Sequence, residues 1–433
     1  MIETRPQKTQ ERALLIGLEK QGVSKWDLQD SLDELRELAS SAGAKVVDTV
    51  TQKLPKPTAP YYIGRGKAES IKDSCRDQQV TSVIFNDELS PAQGRNLENL
   101  FARKVLDRTQ LILDIFAQRA RSREGRLQIE LAQLQYLLPR LTRMWHHLSR
   151  QTGGIGTRGP GETQLEVDRR RVQERIARLE RELEAVRKTR AIQREGRKRH
   201  QWPVAAVVGY TNAGKSTLLN LLTGADLVAE DKLFATLDPT TRSFVLPNKQ
   251  RVLLTDTVGF LRKLPHTLIE SFKATLEEVH EADLLIHVAD LAHPRVDEQM
   301  EAVDGVIKEL DAYGKQTLLV FNKIDNLPPP SAGYSVASNR EVINSYLKRF
   351  PGSVAISART GEGVNSLVQA LEGALSSWRL RSRFRIPANE SALIAEIHRV
   401  GHVLELRYEG NDALIVAHVP PDLAQKLERY AIA

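Results

Sequence analysis

The feature that most constrains this chain is one loop, Gly209-Tyr210-Thr211-Asn212-Ala213-Gly214-Lys215-Ser216, preceded by an apolar run at 205–208 and followed from Thr217 to position 222 by a helical pattern. Glycines let backbone N–H groups turn inward around a phosphate at the positive end of the helix that follows. Lys215 brings charge to the β- and γ-phosphates of a nucleotide, and the Ser216 hydroxyl can hold Mg²⁺. A buried strand running through such a loop into a helix implies a mostly parallel sheet with helices on both faces.

Three further elements follow in order. Leu253-Leu254-Thr255-Asp256-Thr257-Val258-Gly259 reads as a second buried strand ending in a carboxylate and a glycine. Asp256 can hold a Mg²⁺-bound water, and the Gly259 N–H can reach a γ-phosphate and sense its loss. Between the two, Phe234-Ala235-Thr236-Leu237-Asp238-Pro239-Thr240-Thr241-Arg242 reads as a loop able to present a threonine to the metal. A third strand at 318–321 ends in Asn322-Lys323-Ile324-Asp325. Asp325 can accept from guanine N1–H and N2–H₂, a pair that adenine lacks, so the wrong base would leave a buried carboxylate unpaired. Val354-Ala355-Ile356-Ser357-Ala358-Arg359 then supplies a backbone N–H for guanine O6. Together the four elements predict a switch that binds GTP and GDP and hydrolyses GTP, with Lys215, Thr236 and Gly259 as candidate catalytic groups. Phe260 stands where many such switches carry a glutamine that orients the attacking water. It predicts slow hydrolysis by the chain alone, with a partner completing the water's positioning.

Length and charge set the surroundings. A chain of 433 residues implies three or four units. Strands alternate with helices near the start: strands at 13–18, 45–51 and 82–86, helices at 32–42, from Gly64-Arg65-Gly66-Lys67 to about 76, and at 91–101 with Pro91 at its start. Gly64 to Lys67 lacks the spacer and hydroxyl of a phosphate loop and reads as a turn and helix start. Leu127, Leu131, Leu134, Leu138, Leu141, Trp145 and Leu148 then recur at heptad spacing, and Val172, Ile176, Leu179, Leu183 and Val186 repeat it, with a glycine-rich 153–162 between. Two antiparallel helices result, the first kinked or broken at Pro139. After a basic linker at 379–385, the last fifty or so residues read as strands at 393–399, 403–408 and 413–418 and a helix from Pro421. The expected fold class is multidomain α/β: an N-terminal α/β domain at 1–107, a basic helical hairpin with a glycine-rich tip at 108–200, a GTP-binding domain at 201–375, and a small C-terminal α+β domain at 383–433.

From 119 to 200 there are 21 Lys and Arg against 10 Asp and Glu, a local +11 in a chain of net +7, so the rest sums to −4. Such an arm suits a phosphate-rich partner, either nucleic acid or an anionic membrane surface. Its heptad seams are narrow and lack the wide apolar face a membrane surface favours. A single cysteine, Cys75, excludes an internal disulfide, and the polar start and the lack of any run of 18 apolar residues predict a cytoplasmic protein with no stable membrane insertion. A phosphoryl-transferring metabolic enzyme is the rival reading, but no acceptor site accompanies the guanine set.

These residues resemble the translation-factor-related GTPases and, within them, the HflX family of ribosome-associated GTPases. The likeness rests on Tyr62-Ile63-Gly64-Arg65-Gly66-Lys67, Asn86-Asp87-Glu88-Leu89-Ser90-Pro91, the glycine-rich 153–162 and the loop from Phe234 to Arg242, and it covers nearly the whole chain. It implies that Ser216 and Thr236 ligate Mg²⁺, and that the protein binds the large ribosomal subunit and splits stalled ribosomes. The basic arm is then expected on ribosomal RNA through Gly153, Gly154, Arg158 and Gly161, with a monomer off the ribosome. Asn212 resembles an asparagine that coordinates K⁺ in some related GTPases.

Overall fold

The first strand is buried along nearly its whole length, so it must lie inside a sheet covered on both faces. The computed structural model describes residues 11–141, 164–198, 202–224, 233–234, 236–237, 240–262, 278–327, 339–376 and 380–432. They fall into two units, one of Met1–Val186 with Asp231–Leu237 and Leu264–Phe272, the other of Arg187–Glu230, Asp238–Lys263 and Lys273–Ala433.

In the first unit β1 (Arg12–Glu19), β2 (Lys45–Lys53), β3 (Ser82–Phe85) and β4 (Lys104–Asp107) form a wholly parallel sheet in the order β2-β1-β3-β4. Parallel neighbours need crossovers, supplied by α1 (Lys25–Ser41), α2 (Arg65–Asp77) and α3 (Pro91–Phe101). The Ser24 hydroxyl accepts from the Asp27 N–H, and this cap starts α1 ahead of the 32–42 span read from apolar spacing. Gly64 caps α2, so Gly64 to Lys67 is a helix start, and Ser90 and Gln93 form a capping box before α3 with Pro91 in its first turn. The four-residue β4 was not read from sequence. It is too short to show a period of two.

After α4 (Arg108–Arg119) come α5 (Arg123–Leu141) and α6 (Gln164–Lys198). Their leucine stripes meet in one cluster of Leu127, Leu131, Leu179 and Leu183, flanked by Leu134, Ile176 and Val186. Arg175 forks onto Glu130 through Nε at 2.7 Å and an η nitrogen at 2.8 Å. Pro139, expected to kink or break the helix, lies inside α5, which continues through it to Leu141. Trp145, Leu148 and the glycine-rich 153–162, including Gly153, Gly154, Arg158 and Gly161, lie outside the described residues.

In the second unit β5 (Val204–Gly209), α7 (Lys215–Thr223), β6 (Thr240–Val245), β7 (Arg251–Asp256), β8 (Leu284–Asp290), α8 (Val296–Glu309), β9 (Thr317–Asn322), α9 (Asn339–Arg349), β10 (Val354–Ala355) and α10 (Val364–Ser376) follow one another. The sheet order is β10-β9-β8-β5-β7-β6, parallel except for the β6–β7 pair. Leu318 and Val320 of β9 join the cluster with Leu219 of α7 and Leu371 of α10, while Leu319 and Phe321 join that of Met300 and Tyr346 from α8 and α9. Alternation along the strand thus puts helices on both faces. Thr240, Thr241 and Arg242, read from sequence as loop, begin β6, because they pair with the buried β7.

The C-terminal part corrects two expectations. Residues 393–399, read as a strand, belong to α11 (Ser391–Val400). Leu393, Ile394, Ile397 and Val400 lie on one side of it against the core, at the spacing of a helix, so packing outweighs the strand preference of isoleucine. The basic linker is β11 (Leu380–Pro387), where Phe384 and Ile386 are buried and Arg381, Arg383 and Arg385 alternate outward. With β12 (His402–Glu409), β13 (Asp412–Val419) and β14 (Ala431–Ile432) it forms an antiparallel sheet in the order β12-β13-β11-β14, beside α12 (Pro421–Lys426).

Candidate nucleotide site

Five parallel strands, β7, β5, β8, β9 and β10, end on the same edge of the sheet, and ligands of open α/β sheets sit outside such carboxyl ends. From this edge project the 209–216 loop, Asp256 and its successors, and the turns after Asn322 and Ala355.

The loop is fixed from three sides. Gly214 has φ +94°, and a Cβ there would lie 2.2 Å from the Asn322 amide nitrogen, so only glycine fits. That amide nitrogen donates to the Ala213 carbonyl at 2.8 Å, while its oxygen accepts from the Ala358 N–H at 2.9 Å. One buried side chain therefore ties the phosphate loop to the 357–359 turn. On the other side the Thr211 N–H donates to the Phe260 carbonyl at 2.8 Å, the Phe260 N–H donates to the Gly209 carbonyl at 3.1 Å, and the Arg262 N–H donates to the Tyr210 hydroxyl at 2.9 Å. Thr257 Oγ1 donates to the Val207 carbonyl at 2.7 Å, holding the next strand end.

Charge gathers at the centre. The Lys215 ammonium, in a side chain that is 6% exposed, donates to the carbonyls of Tyr210 at 2.7 Å and Gly209 at 3.2 Å. Burial pushes it down to about 8, against the pull of Asp256 and with help from Lys323. The Ser216 hydroxyl donates to Asp256 Oδ2 at 2.7 Å, and Asp256 is wholly buried at the end of β7. A hydroxyl and one carboxylate beside a phosphate-binding loop are the oxygen donors that suit Mg²⁺, which is usually held by one or two carboxylates together with substrate phosphates.

Around the turn after β9, Lys323 adopts φ +63° and pairs with Asp290 at 2.8 Å; Asp325 pairs with Arg359 at 2.6 Å. The Ile324 N–H donates to the Ile356 carbonyl at 3.3 Å, and the buried Ser357 accepts from the Thr360 N–H at 3.1 Å. Asp290 was not read from sequence, although a lone carboxylate ending an apolar strand is a signal of the same kind as Asp256. Nor was His287, buried on β8 and pushed down to about 4 by burial and by Lys215, which keeps it neutral.

The loop before β6 is described in part. Leu233, Phe234, Thr236 and Leu237 fall in the first unit, where the Phe234 ring meets Phe116 edge-on at 4.5 Å. Ala235 and Asp238 lie outside the described residues. Among the described residues no helix is long and apolar enough to cross a membrane.

Known proteins share this arrangement of sequence. The family model for the N-terminal part of a GTP-binding GTPase matches residues 29–117, that for its middle region 119–197, and that of a 50S ribosome-binding GTPase 204–323. The GTPase HflX of Escherichia coli is 47% identical over 374 residues, 86% of this chain and 85% of its own length. A GTP-binding protein of Sulfolobus solfataricus, solved in complex with GDP, is 26% identical, covering 85% of this chain and 99% of that one with a TM-score of 0.44. The GTPase HflX of Caldanaerobacter subterraneus subsp. tengcongensis is 46% identical over 426 residues, 98% of this chain and 95% of its own, and on this full-length likeness the chain belongs to the HflX family of GTPases.

Proposed function

We propose that this GTPase is a ribosome factor gated by its nucleotide, which binds the large ribosomal subunit and acts in splitting, rescue or assembly of ribosomes. The observation that carries the nucleotide part is the pair of hydrogen bonds of the Asn322 side chain, one donated to the Ala213 carbonyl and one accepted from the Ala358 N–H, which locks the phosphate loop and the base-reading turns into one frame. In this reading 209–217 wrap the phosphates, and Lys215 neutralises the β- and γ-oxygens. Ser216 and Thr236 ligate Mg²⁺, Asp256 holds one of its waters, and Gly259 senses the γ-phosphate; Thr257 and Val258 carry it. Phe234, Ala235, Thr236, Leu237 and Asp238 belong to the residues that bind the nucleotide. Lys323 and Asp325 grip guanine, with Asn322 and Ile324 setting their turn and Ser357, Ala358 and Arg359 reaching its O6 side. Mg²⁺ supplies charge at the β- and γ-oxygens when bound, and Asn212 is positioned in sequence to add K⁺.

The ribosomal part rests on the description of the matched 204–323 family and on the basic 119–200 arm. The segments 1–107, 108–200, 201–375 and 383–433 act as its domains, the second reaching ribosomal RNA. Phe260 has an apolar, buried side chain and offers no hydrogen bond to water, so ribosomal contact accelerates hydrolysis. Sedimentation of ribosomes with the protein in GTP, GDP and a non-hydrolysable analogue tests this reading. Co-sedimentation with the large subunit in the GTP forms and its loss in GDP are expected. Equal recovery with and without ribosomes in all three nucleotides would end the ribosomal reading.

A further inference from the structure

Thr211 carries a feature that phosphate wrapping leaves unexplained. Its residue is 6% exposed, its Oγ1 is buried, and no described residue makes a hydrogen bond to that hydroxyl. Backbone groups alone are enough to hold a phosphate, and the Thr211 N–H is already committed to the Phe260 carbonyl. A buried hydroxyl without a partner is a cost that a fold retains where another molecule supplies the bond.

Its place in the site says which molecule. A methyl on Gly259 would lie 2.7 Å from Thr211 Cγ2, 2.8 Å from Thr211 Cα and 3.0 Å from Lys215 Nζ. The methyl and Cα of Thr211, the γ-phosphate sensor and the γ-phosphate lysine thus converge on one point, and the Thr211 hydroxyl sits on the same β-carbon as that methyl. Phe260, next in the chain after that sensor, is 2% exposed and supplies no polar side-chain atom there. We propose that the Thr211 hydroxyl is a catalytic residue of the chain itself, holding the attacking water against the γ-phosphate in the role that glutamine fills in many other switches.

In that step the water oxygen forms the new bond to the γ-phosphorus. The bond from phosphorus to the β–γ bridging oxygen breaks, its electron pair leaving with GDP, and the water's proton passes to a γ-phosphate oxygen. Thr211 accepts a hydrogen bond from the water and donates its own to a γ-oxygen, ending unchanged. Its contribution sets the slow basal rate, to which a ribosomal partner adds.

The inference rests on the phosphate-loop reading, and the experiment separates the two. Single-turnover GTP hydrolysis and GDP affinity are measured on the full chain for T211V, which keeps the shape and removes the hydroxyl, and for T211S, which restores it. T211V is expected to hydrolyse roughly 100-fold more slowly, in the range of one general acid–base or positioning contact. GDP has no γ-phosphate, so its affinity stays within about threefold in T211V, and T211S recovers most of the rate. Wild-type hydrolysis by T211V, or T211S as slow as T211V, overturns the proposal, as does an equal loss of GDP and GTP affinity. If T211V does not fold, T211A replaces it with the same outcomes. K215A is the separate control: unchanged GDP binding there would sink the phosphate-loop reading itself, whatever Thr211 does.

Discussion

Lys215 shows how burial sets a residue's response to pH. Its ammonium lies among carbonyls with a pKa of about 8, lowered by burial, partly restored by Asp256 and lowered again by Lys323. A nucleotide's phosphates would favour the charged form and raise that value. Binding then takes up a proton once the pH exceeds about 8, so the affinity gained from this charge is fully present below that pH and declines as pH rises toward the bound-state pKa. GDP affinity measured between pH 7 and 10 is expected to be level at first and then to fall by up to about tenfold per pH unit. A flat profile to pH 10 would contradict this. Asp325 is the other residue with a sharp prediction. Asp325→Asn replaces an acceptor with a group that also donates, which mismatches guanine and suits the carbonyl of xanthine. Competition binding is expected to show GTP weakened by at least about 100-fold and XTP improved. By contrast, Arg359 is 70% exposed at its side chain, and its pair with Asp325 is screened by solvent. Arg359→Ala should change GDP affinity by less than about fivefold.

At the scale of elements, the two leucine stripes are the test of how α5 and α6 hold together. Leu179 is wholly buried among Leu127, Leu131 and Leu183, so Leu179→Ala is expected to destabilise the first unit by about 2–5 kcal/mol. Urea unfolding followed by circular dichroism would read this as an earlier transition; no shift would mean that the seam carries little stability. The C-terminal elements make a different point. Ile397 is buried on α11, and the span 393–399 looked like a strand because isoleucine and leucine cluster in it. A window of seven residues holds only two turns of helix, too few for the period of 3.6 to stand out from simple apolarity. β11 was hidden by its arginines, which occupy the exposed alternate positions of a strand with one covered face.

At the scale of the whole molecule, charge is distributed unevenly between segments, with +11 at 119–200 and −4 elsewhere. If the arm meets ribosomal RNA through phosphates, association weakens steeply with salt, losing roughly one power of salt concentration for each phosphate contact. Replacing Arg169, Arg170 and Arg171, three exposed residues of α6, with glutamine is expected to reduce that slope and to lower ribosome co-sedimentation at 0.2 M salt by about tenfold or more. GDP affinity should stay as it was. An unchanged slope would place the RNA contact elsewhere.

The sequence by itself determined the strand, loop and helix of β5 and α7, the mostly parallel sheets, the heptad seam and the order of the segments at the strand ends, and its likeness to the HflX family. All of these are local patterns in which neighbouring residues carry the whole signal. Tertiary structure alone decided that Asn322 bridges Ala213 and Ala358, that Asp290 holds Lys323, and that Phe260 binds the backbone of the phosphate loop while leaving the Thr211 hydroxyl without a partner among the described residues. These partners come from different strands, and no spacing along the chain encodes which strand ends meet at one edge of a sheet. The phosphate loop that dominates the sequence is thus only half of its site; the other half is assembled by the order of the strands.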